Sequence, residues 1–279
     1  MIYHEHIPCP ELIPYVECFW ELRDDAYEKH TQPERILPDG CFELVLNFGE
    51  AFKRFHSDGS VELQPPALMV GQMTRHVMIQ SSGRIDLLGI RFHPGGAFPF
   101  FKFPQSELTD RILNIEEAIP FSEMFSELYD QPATHCRKKI IETWLCTLLR
   151  SNKNDCRLTQ RAAQAILAHN GVINLKTFRQ NLGVGERQLE RVFKDQVGLS
   201  PKMFARIIRF QSIFRALESE SPANWSPLAF ECGYYDQSHF LRDFKAFAGE
   251  LPSSYFAKAY RMSELLTRKN RPMVSSGLD

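Results

Sequence analysis

Two short stretches of this 279-residue chain set charged and amide side chains at helical spacing. In ERQLERVFKDQV (186–197), Arg187, Glu190, Arg191 and Lys194 fall on one face, and Leu189, Val192, Phe193 and Val197 on the other. In QSHFLRDFKAFA (237–248), Gln237, Ser238, Arg242 and Lys245 share the outward face, opposite Phe240, Phe244 and Phe247. A helix with one apolar stripe and one Arg/Gln/Lys face docks on a core and offers donors to a polyanion. Arginine matches guanine O6 and N7 with two donors, glutamine matches adenine, and Glu190 can accept from cytosine N4. Lys194 and Lys245, one turn further along, suit phosphate oxygens, which give affinity without sequence information.

The two stretches are copies. Phe193/Phe244, Lys194/Lys245, Gly198/Gly249, Pro201/Pro252 and Phe204/Tyr255 recur at one offset of 51 residues, as do Leu189/Phe240 and Arg191/Arg242. A repeat of this size is one supersecondary unit made twice. In the first unit, Asn174 caps LKTFRQNL and Gly183-Val184-Gly185 turns the chain into the second helix. In the second, SPLAFECG turns at Gly233-Tyr234-Tyr235, and Asp236 caps the helix that follows. Two short helices around a glycine turn, the second presenting Arg and Lys outward, form a helix-turn-helix signature. Gly198 closes the first unit, Ser200 caps the next helix and Pro201 occupies its first turn. That connecting helix is expected to run to about Glu218, a rod of roughly 28 Å against the ~34 Å turn of B-DNA. The second turn, one residue longer, predicts that the two copies address DNA with slightly different aim.

Charge divides along the same line. Net charge is −1, yet residues 157–279 hold 18 Lys+Arg against 11 Asp+Glu, and residues 1–156 hold 15 against 23. Only the basic half is suited to a polyanion. The polar run Ser151 to Asp155 reads as the linker, placing a front domain at 1–151, a reading domain at 157–262 and a disordered tail at 263–279. The tail's Arg268, Lys269 and Arg271 would add at most a non-specific phosphate contact.

The front half reads as β-rich. CFELVLNF (41–48) alternates with period two, and similar runs at 15–21, 67–70, 76–80 and 85–92 are separated by turn residues. A sandwich or barrel follows, able to hold a small ligand in its mouth. Residues from Ser106 to Ala118 and around 121–129 read as helical, and 137–150 is the clearest helix, with Ile140, Ile141, Trp144, Leu145, Leu148 and Leu149 in a broad stripe. That stripe packs on its own domain or pairs with the same helix of a second copy. The fold class is therefore α+β: a β-rich barrel-like domain with following helices, then an all-α domain of two helix-turn-helix units joined by a long helix.

Other chemistry is weakly signalled. His4, His6 and Cys9 lie close in sequence but lack further ligands for a metal, and Gly95-Gly96 in HPGGAF reads as a turn more readily than as an anion cradle. Phe98, Phe100, Phe101 and Phe103 read as core. The seven cysteines are odd in number and form no C-x-x-C pair, as expected of reduced, buried thiols. No nucleophile elbow, Walker sequence, dinucleotide fingerprint or zinc-protease motif is present, so the expectation is a non-enzyme without cofactor or metal. The N-terminal stretch lacks a signal peptide's basic and apolar regions, and no apolar run is of membrane-span length, so a cytoplasmic protein without membrane contact is expected.

CGYYDQSHFLRDFKAFAGELPSSY resembles the signature of the AraC/XylS family of bacterial transcription regulators, and GERQLERVFKDQVGLSPKMF resembles that family's first reading helix and linker. ILPDGCFELVLNFG and GIRFHPGGAF resemble the β-barrel-like sensing domain found in a branch of the family. The resemblance implies sequence-selective binding of duplex DNA, action on RNA polymerase, and control by a small-molecule effector or partner acting through the front half, where the apolar stripe of the 137–150 helix offers a surface for homodimerisation. It places base reading on Arg187, Glu190, Arg191, Gln237, Ser238, His239 and Arg242, and the helix chemistry adds phosphate contacts at Lys194 and Lys245. Two alternatives remain open: a DNA-binding module on a repair-type enzyme, which would need four gathered thiolates, and a front half that binds a protein instead of an effector.

Overall fold

The computed structural model describes residues 1–25, 32–101, 103–151, 155–217, 224–258, 260, 262 and 265. The front half holds a six-stranded antiparallel sheet in the order β1 (Ile2–His6), β2 (Val16–Asp24), β9 (Ile85–Phe92), β4 (Phe42–Asn47), β7 (Ala67–Val70) and β10 (Ile112–Asn114). A second sheet orders β3 (Glu34–Ile36), β8 (Val77–Ser81), β5 (Phe52–Phe55) and β6 (Val61–Leu63). Strand β9 is buried along its whole length, because side chains leave both of its faces into packed layers. Leu88, Ile90 and Phe92 join Phe19, Leu44, Leu46 and Met69 in one layer, and Ile85 and Leu87 join Cys18, Trp20, Leu22 and Phe52 in the other. Trp20 sits opposite Gly89 in the register, and a Cβ on that glycine would lie 1.9 Å from the indole. Glycine is required there by close approach.

The first layer is closed by α1 (Ser122–Tyr129) and α2 (Thr134–Arg150), so α2 packs on its own domain through Ile141 and Leu145. Phe100 and Phe101 are buried in this layer, as expected of core. Gly95-Gly96 forms a buried turn, in which the His93 N–H donates to the Tyr15 carbonyl and a Cβ on Gly96 would lie 2.2 Å from that oxygen. His6 Nε2 lies 3.3 Å from Glu21, and Cys9 Sγ 3.9 Å from Cys146 Sγ. Among the described residues no three His, Cys, Asp or Glu side chains could hold a metal.

One stretch departs from the sequence reading. Residues 106–118 form a 3-10 turn at Gln105–Leu108, strand β10 and a second 3-10 turn at Ile115–Glu117, not a continuous helix. Asp110 takes a left-handed conformation with φ 59°, which no helix interior tolerates, and its carboxylate accepts from the Thr74 N–H and hydroxyl. The chain then gains more by pairing Ile112–Asn114 with the edge of β7. The resulting sheet interior also carries charge. Arg91 is 1% exposed, with Nε 2.6 Å from Glu43 and Nη1 3.4 Å from Glu5. Burial works against its charge, but the Glu43 carboxylate holds the guanidinium firmly protonated.

The helical half consists of α3 (Arg157–Ala168), α4 (Leu175–Asn181), α5 (Glu186–Val197), α6 (Pro201–Ala216), α7 (Ser226–Glu231), α8 (Gln237–Ala248) and α9 (Pro252–Phe256). Helix α6 is apolar on nearly every side, with Phe204, Ile207, Ile208, Phe210, Ile213 and Phe214 all buried, and such a helix must be clothed all round. Its partners include Phe193 from α5, Phe244 and Phe247 from α8, and the β-rich half itself: Leu37 joins this core, and Gln211 Nε2 donates to the Pro38 carbonyl at 2.5 Å. Of the linker expected at 151–155, residues 152–154 lie outside the described residues. Of the expected tail, Leu265 packs with buried Met262 against the layer between the sheets, and 263–264 and 266–279 lie outside the described residues.

Two outcomes test this packing. Glu43→Ala removes the closest carboxylate from Arg91 and should cost about 3 kcal/mol in urea melts, much of it recovered by adding Arg91→Met. His76 sits where the halves meet, and burial, then the nearby Arg35, hold it below its ordinary value, against a smaller pull from Glu250. The folded state thus favours neutral His76, so its contribution is present above about pH 6.5, the free-histidine value, and is lost as pH falls below it. Urea melts at pH about 7.5 and about 5.5 should show a larger acid loss for the parent than for His76→Gln.

Candidate nucleic-acid interface

The two helix pairs begin in strict register. α4 and α7 start at residues 175 and 226, and α5 and α8 run 186–197 and 237–248, each offset by 51. The extra turn residue in the second unit is absorbed because α7 stops one residue sooner, at Glu231 where α4 stops at Asn181. The reading helices therefore keep equal lengths, and their first residues keep the same offset from the first residues of the leading helices, 175 to 186 and 226 to 237. Gly183 and Gly233 both hold positive φ, at 64° and 75°, where a side chain would be strained. Gly198 and Gly249 end the two reading helices in the left-handed conformation.

The caps differ. Asp236 accepts from the His239 N–H at 2.7 Å, whereas α5 has Gly185 at the same position and no side-chain cap. Asn174 and Ser200 cap α4 and α6 as their types suggest. Helix α4 has no fully buried residue, while α7 buries Leu228 and Ala229, so the first unit is the more lightly seated.

Every outward cation expected on the reading helices is exposed: Arg187, Arg191 and Lys194 on α5, Arg242 and Lys245 on α8. Glu190, Gln237 and Ser238 are exposed as well. Gln237 Oε1 accepts from the Ser226 hydroxyl at 2.9 Å, which ties the first residue of α8 to the start of α7. His239 is placed differently. It is half-buried, its ring edge-on to Tyr234 with centroids 5.3 Å apart, and Nε2 lies 3.8 Å from Asp243. Phe193, Phe240, Phe244 and Phe247 are buried to 1% exposure or less, as their spacing predicts.

Asp243 was missed by the sequence reading and has a clear role in holding α8. It is 2% exposed, and its Oδ1 accepts from Arg206 Nη2 of α6 at 2.6 Å. The signal was present: 240, 243, 244 and 247 form an i, i+3, i+4, i+7 stripe, and a carboxylate on a packed stripe calls for a buried counter-charge. The first copy has Val192 at the equivalent position. Arg209 of α6 similarly lies over the Tyr234 ring at 5.1 Å, whose phenol is held above its ordinary value by burial and then by Asp243. Connecting helix α6 is 16 residues, or about 24 Å, shorter than expected, with 218–223 outside the described residues.

Comparison with known proteins places both halves. Residues 180–258 match a helix-turn-helix domain model, and residues 4–114 match a domain of unknown function (DUF6597). An uncharacterized HTH-type transcriptional regulator of Haemophilus influenzae is 27% identical over 117 residues, covering 42% of this chain and 33% of that protein. The chain thus spans about a third of that relative's length. Among solved structures, apo ToxT of Vibrio cholerae covers 86% of this chain and 97% of its own, at 10% identity and a TM-score of 0.46. ToxT bound to an unsaturated fatty acid covers 85% and 93% at 9% identity and TM-score 0.44. The AraC-like transcriptional activator CuxR covers 70% and 73% at 10% identity and TM-score 0.26.

The α6–α8 pair yields a test of its own. Arg206→Ala leaves the buried Asp243 charge uncompensated and should cost about 3 kcal/mol in thermal or urea melts. Adding Asp243→Asn to that variant should return part of the loss; an additive further loss would show that the pair does not interact.

Proposed function

We propose that the chain is an AraC-type helix-turn-helix transcription regulator that reads an asymmetric duplex site with α5 and α8, under control of the β-rich front half. One observation carries this reading: two equivalent helices, offset by 51 residues, each present exposed Arg and Lys on the face opposite a buried apolar stripe. Arg187, Glu190 and Arg191 would address bases from α5, and Gln237, Ser238 and Arg242 from α8, with His239 at the edge of that set. Lys194 and Lys245 would hold phosphates. The residues at equivalent positions differ, Arg187 against Ser238 and Glu190 against Leu241, so the two half-sites would differ in sequence.

The division near residues 151–157 belongs to the same reading: the front half receives a signal and the rear half reads DNA, altering RNA polymerase activity at the bound promoter. Two inputs are compatible with the front half. One is a small molecule held by the β-rich domain. A second copy could pair on α2, where Ile140 and Trp144 line, with Met124 of α1, an open groove of about 700 Å³. Among the described residues no helix is long and apolar enough to cross a membrane.

Selection of bound duplexes from a random pool tests the reading directly. Arg191→Ala and Arg242→Ala should each lower affinity for the recovered site by about 1–3 kcal/mol and relax preference at one half-site only. Lys194→Ala should weaken all sequences alike and reduce the slope of log affinity against log salt by about 1. Parental binding that is indifferent to both sequence and salt would sink the proposal.

A further inference from the structure

We propose that the β-rich half is a ruler for DNA reading: Arg35, Thr109 and the loop 71–76 grip the C-terminal ends of both reading helices and set the separation and angle between them. The inference rests on the DNA-binding reading above and adds to it the positioning residues that make two helices act as one reader.

Both grips fall on equivalent points of the repeat. At the end of α5, the Thr109 hydroxyl donates to the Gly198 carbonyl at 2.5 Å. A Cβ on Gly198 would meet the Gln105 carbonyl at 3.0 Å and Gln72 Cγ at 3.3 Å. At the end of α8, the His76 N–H donates to the Phe247 carbonyl at 2.9 Å. The Arg35 guanidinium donates to the Ala248 carbonyl and lies 3.4 Å from Glu250, while a Cβ on Gly249 would lie 2.1 Å from His76 Cε1. A cation at a helix C-terminus also opposes the helix dipole favourably.

The two grips are joined by a very short bridge. Gln72 and His76 are four residues apart, so their Cα atoms are separated by at most about 14 Å. That bridge is stiff. Asp110 accepts from the Thr74 N–H at 2.7 Å and hydroxyl at 2.5 Å, its own N–H donates to the Gln72 carbonyl at 2.8 Å, and the Gly71 N–H donates to the Arg111 carbonyl at 3.2 Å. A Cβ on Gly71 would lie 2.0 Å from the Leu108 carbonyl oxygen. Further anchors fix α6 to the same body: Gln72 Nε2 donates to the Gly40 carbonyl at 3.0 Å, and a Cβ on Gly40 would lie 2.9 Å from the Phe204 ring. Most of the exposed reading residues occupy the first two turns of each helix, away from these C-terminal contacts, so gripping leaves them free for a groove.

A rigid two-point reader keeps its combined affinity only where half-site spacing matches its own. Inserting one base pair displaces the half-sites by about 3.4 Å and rotates them by about 35°. The test uses the full chain and the duplex recovered by selection, with spacers between half-sites shortened or lengthened by one and two base pairs, and a duplex with one half-site scrambled. The parent should lose on the order of 100-fold in affinity on a one-base-pair change. Arg35→Ala/Thr109→Val should lose less than about 10-fold on the same change while binding the single half-site duplex like the parent. Arg35→Lys/Thr109→Ser should restore the parental profile. Should the double variant unfold by circular dichroism, Asp110→Ala, which releases the bridge without touching either helix, takes its place.

Parental spacing profiles in a folded clamp variant would overturn the ruler, as would loss of single-half-site binding, since the contacts would then act on each helix by itself. Failure of the parent to select any duplex would overturn the DNA-binding reading beneath it, a distinguishable result.

Discussion

Everything in the helical half depends on α6 being covered on all sides. A 16-residue helix that buries Phe204, Ile207, Ile208, Phe210, Ile213 and Phe214 has no solvent face to spare. Each large apolar side chain contributes roughly 1.5–3 kcal/mol when removed from water, so the helix is stable only as the centre of an assembly. The two reading helices supply part of the cover through Phe193, Phe244 and Phe247. The β-rich half supplies another part through Leu37 and Gly40, although its own apolar residues form two separate clusters.

The contact between the halves is otherwise polar. Gln72, Gln105, Gln196 and Gln211 are each buried along it, and each keeps an amide oxygen with no protein partner among the described residues, as does the His76 Nδ1 atom. Half-satisfied amides cost free energy that a fully apolar seam would not. The same seam is nevertheless held by directed hydrogen bonds, among them Thr109 to Gly198, Gln72 to Gly40 and Gln211 to Pro38. The paired charges elsewhere behave oppositely. Arg91 with Glu43 and Arg206 with Asp243 are closely hydrogen-bonded, and losing one member strands the other in a poor dielectric.

Much of the reading module was legible in the sequence because its signals are local. The Phe stripe, the Gly198 and Gly249 stops and the Asn174, Ser200 and Asp236 caps each act within one or two helical turns, and each stands where its type suggests. The long strands β4 and β9 were legible for the same reason. Of the short strands, β7 and β8 were read from their apolar runs, whereas β1, β3, β5, β6 and β10 were not, since three to five residues carry little periodicity and pairing with a neighbour decides them. Residues 106–118 show the conflict plainly: a helical composition is overruled by one left-handed Asp110 bound to Thr74, 36 residues away.

By itself the sequence determined the doubled module, its outward Arg, Lys and Gln faces and the β-rich character of the front half, because hydrophobic period and capping chemistry are short-range. Only the tertiary structure decided that Asp243 is a buried partner of Arg206, that His239 leans on Tyr234, and that Thr109, Arg35 and His76 hold the ends of α5 and α8. Those pairs are 37, 5, 89, 213 and 171 positions apart or meet across separate elements, and no local preference can choose between such partners. The helices were therefore written in the chain, and their relation to one another was settled by long-range packing, with α5 and α8 meeting on α6 and their ends touching the β-rich half.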